Sequence, residues 1–235
     1  MIKQYCYLLI FTFLMFSCGK ISPKGNIERK NVGVEEFVNL DIGGNFRVFY
    51  IKNAKHFIEI ETYPNIIDNL NISVKNKTLS IQEKRETKEV DFYNINIYSP
   101  MNPEKISISK SAEMNISGEI KTDDFNLNIE NNAVFIGAVN TETAKVEMRD
   151  KSRANFSGFT KNASIKISDT ASLIAPYWKI DYLNIDSKNG NYAEVNVKNS
   201  LKGNLRNTAE FVYFGNPSQS VKIQENSKIE NRKLE

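Results

Sequence analysis

The chain has 235 residues, of which 31 are basic and 28 acidic, so its formal charge is +3. The basic residues are scattered rather than gathered into a stripe, which excludes the footprint of a nucleic-acid binder. One histidine and two cysteines argue against a resident metal centre, and no cofactor motif is present.

The N-terminus reads MIKQ, then the twelve apolar residues YCYLLIFTFLMF, then SCGK. A positive start, a short apolar run and a small residue give the layout of a secretory signal, and the run is well short of the ~20 residues a spanning helix needs. Ser17-Cys18-Gly19 resembles the cleavage and lipidation box of bacterial lipoproteins. That resemblance implies removal of residues 1–17 and acylation of Cys18. Cys6 leaves with the signal, so no cysteine remains in the folded part and a disulfide scaffold is excluded. Lys3 leaves too, and the mature chain carries 30 basic against 28 acidic residues, or +2. Residues 18–34 are polar, contain Pro23 and Gly25, and show no period, which predicts a tether between anchor and domain.

From residue 35 onward nearly every segment alternates: FRVFYI, FIEIE, LNISV, LSIQE, INIYS, ISISK, FNLNI, IKISD. Period two over short runs predicts β-strands, and only a turn after Pro64 departs from it. Asn76-Lys77 between LNISV and LSIQE predicts a two-residue hairpin, since Asn accepts the positive φ such a turn demands. Residues 35–100 are therefore expected to be antiparallel strands. His56 begins a strand there and is expected at or near the surface.

Residues 101–235 repeat. Counting from Ala112, the same cadence returns at Ala133, Ser152, Ala171, Asn189, Ala209 and Ser227, at steps of 21, 19, 19, 18, 20 and 18 residues. Four places before each anchor stands Ile108, Ile129, Met148, Ile167, Ile185, Leu205 or Ile223; six places before, Gly203 alone breaks the apolar row. A unit of about twenty residues with two strands cannot bury its apolar side alone and must stack, which predicts a two-sheet β-helix of ~20-residue rungs. Two places before the anchors come mostly Asn, Asp and Ser, residues suited to a tight corner. Outward neighbours Glu130 and Arg149, and Asp186 and Arg206, are expected to pair between rungs. Ser109 and Ser111 are corner residues with no partner base.

The corners SKSAE, ENNAV, RDKSR, SDTAS, SKNGN, RNTAE and QENSK, the late YFGNP of Tyr213–Pro217, and the N-terminal FVNLDIGGNFRVFYI and VKNKTLSI carry a resemblance. The sequence resembles the head GIN domain family of auto-transporter adhesins, common in Bacteroidetes, from about Phe37 to Arg232. The family's glycines are mostly replaced here by Ala, Lys or Asn. The resemblance implies a β-helical lipoprotein of the cell envelope with a part in adhesion. Lys20, and the absence of an acidic cluster after Cys18, favour the periplasmic side of the outer membrane over the cell surface.

The function expected is thus non-catalytic binding or adhesion, with no catalytic, cofactor or metal residues. Expected partners are the membrane, a second copy of the chain, and a glycan or an envelope protein. Ile136, Ile174, Tyr192, Val212 and Phe214, with Trp178 nearby, are the candidate outer-face contact residues. The alternatives are a polysaccharide-active β-helix enzyme, for which Asp123-Asp124 is the only adjacent acidic pair in the repeats, and a structural envelope protein without a ligand.

Overall fold

The computed structural model describes residues 19–234, so Cys18 and the signal lie outside the described residues. Between residues 113 and 206 each rung is one continuous strand bent in the middle. These are β9 (Glu113–Ile129), β10 (Val134–Met148), β11 (Arg153–Ser168), β12 (Ser172–Lys188) and β13 (Tyr192–Arg206), preceded by β8 (Lys105–Lys110). The last rungs are split into β14 (Glu210–Phe214), β15 (Ser218–Ile223) and β16 (Lys228–Arg232). Successive rungs pair in parallel along both halves. The result is a two-faced solenoid of about seven turns of ~19 residues. Among the described residues no helix is long and apolar enough to cross a membrane.

Period two sends Ile106, Leu127, Val146 and Ile165 inward as one ladder and Ile108, Ile129, Met148 and Ile167 as the next, all essentially buried. Inside the other face Phe135 lies 6.3 Å from Phe125 and 4.9 Å from Phe156, and Phe156 stacks on Trp178 at 4.7 Å. The Trp178 indole N–H donates to Thr160 Oγ1 at 2.9 Å, so its one polar group is satisfied where no water reaches.

The tight corners follow the sequence closely. Lys110, Asn131, Asp150, Asp169, Asn189, Asn207 and Glu225 all adopt left-handed φ between 52° and 69°. The anchors Ala112, Ala133, Ser152, Ala171 and Ala209 are fully buried beneath them. One rung is offset from the expected frame. Tyr192 pairs with Ser172 and Glu210, which places Asn191, not Asn189, at the anchor. Asn189 takes the left-handed position that its side chain tolerates. Buried Asn191 is held by Ser187 Oγ at 2.6 Å and by the Ile167 and Lys188 carbonyls.

The N-terminal strands are woven into the stack. They are β1 (Glu28–Gly33), β2 (Asn39–Gly44), β3 (Arg47–Lys52), β4 (Phe57–Thr62), β5 (Leu70–Lys75), β6 (Thr78–Glu83) and β7 (Asn94–Ser99), with α1 (Pro64–Ile67) between β4 and β5. The β5–β6 hairpin is antiparallel, with Asn76 and Lys77 both at positive φ. Among the described residues, antiparallel pairing otherwise joins only β1 to β4 and β4 to β7. The pair β2–β3 instead forms a parallel rung lying between β6–β7 on one side and β8–β9 on the other. Alternation fixes which side chains point inward but is the same for parallel and antiparallel neighbours, so the pattern does not reveal this order.

The stretch expected to be a tether is held down. Its second half is β1, registered on β4 from Glu28↔Thr62 to Gly33↔Phe57. Its first half is fixed by Ile21, whose N–H donates to the Glu86 carbonyl and whose carbonyl accepts from Lys88 N–H, both at 2.9 Å. Main-chain ladders need no apolar alternation, and in β1 only Val32 turns toward the core, which is why composition reads as linker.

Candidate functional site

The residues expected on the outer face do not form one surface. Ile136 is 42% exposed and Ile174 half-buried, but Asn155 stands between them in the ladder Asn115–Ile136–Asn155–Ile174–Glu194–Val212–Glu230. Val212 and Phe214 are buried, at 3% and 8% exposure. Val212 sits between Glu194 and Glu230 on the neighbouring rungs, and Phe214 between Asn196 and Arg232. Tyr192 belongs to the adjacent column and donates its hydroxyl to Glu194 at 2.8 Å. Trp178 is fully buried because the register shifts between Ala175 and Lys179, turning Tyr177 outward and the indole inward.

The opposite face carries a trough of about 510 Å³. Its floor is the outward side of the strands ending at the tight corners. One column runs Asp41, Ser107, Asn128, Glu147, Lys166, Asp186. The neighbouring column runs Ser109, Glu130, Arg149, Ser168, Lys188. Every one of these side chains is of a type able to donate or accept hydrogen bonds, and strand spacing repeats them at about 4.8 Å.

Most of the trough's charges are paired, some of them with Lys145 and Arg206 just outside its lining. Arg149 pairs with Glu130 as expected. Glu147 meets Lys145 at 3.0 Å and Lys166 at 3.6 Å, and together these lysines hold its carboxyl below the usual range. Asp186 meets Arg206 at 2.6 Å, diagonally because of the offset rung. Pairs this exposed are each worth under about 1 kcal/mol of stability. They fix the direction in which donors and acceptors point. Rung spacing makes the pairs of Glu130 with Arg149 and of Asp186 with Arg206 legible; Glu147 with its two lysines, and Asp41, Ser107, Asn128, Ser168 and Lys188, are signalled only by outward parity beside buried apolar residues.

Along the trough's rim the left-handed corner residues form a ladder of their own. Lys110 N–H donates to Asn131 Oδ1 at 3.0 Å, Asn131 N–H to Asp150 Oδ2 at 2.8 Å, and Asp150 N–H to Asp169 Oδ2 at 3.3 Å. Asn189 donates to Asp169 and Asn207 to Asn189, both at 2.9 Å. The Asp150 N–H, then the Ser168 hydroxyl and the Asn189 amide, hold the Asp169 carboxyl below its ordinary range. Its folded proton affinity is below that of the unfolded chain, whose aspartates titrate near 3.9. The stability it contributes is therefore intact above that value and lost as pH falls through the lower, folded one. Asp169→Asn is expected to keep the corner and flatten the acid limb of stability against pH, measured by urea midpoints between about pH 5 and pH 2.5.

Other groups suited to chemistry are held in structural roles. Glu83, whose carboxyl burial pushes up, accepts from Thr87 Oγ1 at 2.9 Å beneath the loop after β6. His56 is half-buried, 5.4 Å from the Phe37 ring and 3.3 Å from Ser99 Oγ. Among the described residues no three His, Cys, Asp or Glu side chains are grouped to hold a metal ion.

A family model described as "Putative auto-transporter adhesin, head GIN domain" matches residues 36–217. No curated protein matches the sequence. Among solved structures, a "putative adhesin" from Bacteroides fragilis is 18% identical with a TM-score of 0.84, covering 90% of this chain and 100% of its own. A "putative adhesin" from Parabacteroides merdae is 14% identical with a TM-score of 0.73, over 91% and 99%. A "putative lipid binding protein" from Parabacteroides distasonis is 15% identical with a TM-score of 0.72, over 91% and 100%. At these identities the likeness is one of fold.

Proposed function

Because this chain belongs to the head GIN domain family of auto-transporter adhesins, we propose that it is a non-catalytic binding module of the cell envelope. The stretch from Ile21 onward, β1 included, acts with the rungs as one β-helical domain, anchored in the outer membrane through acylated Cys18 on the periplasmic side. The ligand is a glycan, taken along the trough.

The observation that carries this reading is the trough's lining: two columns of Ser, Asn, Asp, Glu, Lys and Arg repeated rung by rung. A polyhydroxylated chain offers donors and acceptors at short regular intervals and can match such columns over several rungs. Groups already aligned by their neighbours lose little freedom on binding. The most exposed residue of the row first expected to make contact is an isolated isoleucine, which signals little by itself.

Arg149→Ala combined with Lys166→Ala is expected to weaken binding to a polysaccharide panel by about tenfold or more, equivalent to ~1.4 kcal/mol, while the urea midpoint stays unchanged. Ile136→Ala is expected to leave binding unchanged. Equal binding by the double variant and the parent would place the ligand elsewhere. Mass analysis of the mature N-terminal peptide tests the acyl chains on Cys18, and proteolysis of intact cells tests the side of the membrane.

A further inference from the structure

The start of the described chain carries a consequence for how the domain meets the membrane. Ile21 is bridged to Thr87, and Lys20 Nζ lies 3.0 Å from Glu86. Ser22 and Lys24 are tied to Asn65, through Asn65 Nδ2 to the Ser22 carbonyl at 2.9 Å and Lys24 N–H to Asn65 Oδ1 at 2.8 Å. β1 then continues on β4 for six residues. The half-buried Ile21 side chain also packs against the core. Only Gly19 and Lys20 lie between Cys18 and Ile21, and three residue steps reach at most about 11 Å.

We propose that the loop between β6 and β7, around Arg85, is a membrane-apposed surface whose partner is the lipid headgroup layer. This rests on the reading that Cys18 is acylated. A lipid-bearing residue must reach the bilayer, and a span this short brings the loop to the headgroups with it. Both charge signs are present there, with Lys84, Arg85 and Lys88 beside Glu86 and Glu89. The apposition therefore comes from covalent reach and not from a basic patch. The last rung, β15–β16, lies eight strand spacings along the stack from β7, or about 38 Å at ~4.8 Å each.

The test uses the full chain, processed in cells and reconstituted into phosphatidylethanolamine–phosphatidylglycerol vesicles. Arg85→Cys and Lys222→Cys are labelled in turn with a fluorophore, both positions being exposed. Quenching by a headgroup-attached nitroxide is expected to be several-fold stronger at position 85 than at 222. Inserting twenty Gly/Ser residues between Gly19 and Lys20, an added r.m.s. span of about 25 Å, is expected to abolish most of that difference. Equal quenching at the two positions in an acylated protein overturns the apposition, as does a difference unmoved by the insertion. A mature N-terminus without acyl chains overturns the anchor reading instead, and the two failures are told apart by the mass of that peptide.

Discussion

Gly203→Ala is expected to destabilise the protein by about 3 kcal/mol or more, and in many preparations to prevent folding. Gly203 lies in β13 opposite Ile185, with φ at +139°, and a Cβ there would sit 1.8 Å from the Ile185 carbonyl oxygen. Two costs coincide: a backbone region that L-residues avoid, and a steric overlap with main chain that cannot rotate away. The substitution also gains apolar surface in a row otherwise filled by Ile, Leu and Val, so hydrophobicity alone would predict the opposite sign. Two controls separate the contributions. Gly118 has φ at +109° with open space around its Cβ position, so Gly118→Ala is expected to cost about 1–2 kcal/mol from backbone strain alone. Gly190 is exposed, has ordinary φ and meets nothing closer than 4.0 Å, so Gly190→Ala is expected to be near neutral. Urea denaturation of the three variants checks the order.

That single gap in the apolar row shows how sequence and structure relate here. The repeat made the solenoid legible, because every rung must bury the same positions and Asn or Asp must supply the left-handed corner. What it could not supply was anything set by main chain alone. The offset at Asn189 and Asn191 is one case: both are asparagines, either can stand at the corner, and only pairing of Tyr192 with Ser172 decides between them. Trp178 is another, since the register shift after Ala175 reverses the side on which the next residues point. The docked N-terminal segment and the insertion of β2–β3 between two later rungs are backbone pairings with no side-chain pattern of their own. For the candidate site, the pairing of Glu130 with Arg149 was visible from rung spacing. The trough it belongs to is assembled from the outward side chains of several rungs, and alternation alone does not show that they enclose a concave space.

Phe156→Ala is expected to cost about 3–5 kcal/mol, by loss of the buried ring and incomplete collapse of the space it leaves. For a chain of this size that corresponds to a fall of roughly 10 °C in Tm. Phe156 is 1% exposed and lies between Phe135 and Trp178, so its removal breaks the aromatic column at its centre rather than at an end. In a solenoid each rung is stabilised mainly by its two neighbours. The loss therefore falls on the interfaces of β11 with β10 and with β12, leaving the N-terminal rungs and the last rungs packed as before. Trp178 is the single tryptophan of the chain and stacks directly on Phe156, which makes its emission a local report of this site. A red-shifted native-state emission together with a lowered midpoint is the expected result. Were the emission to move without loss of stability, the ring's space would have been refilled by its neighbours, and the column would be a packing convenience rather than the join between the two halves of the stack.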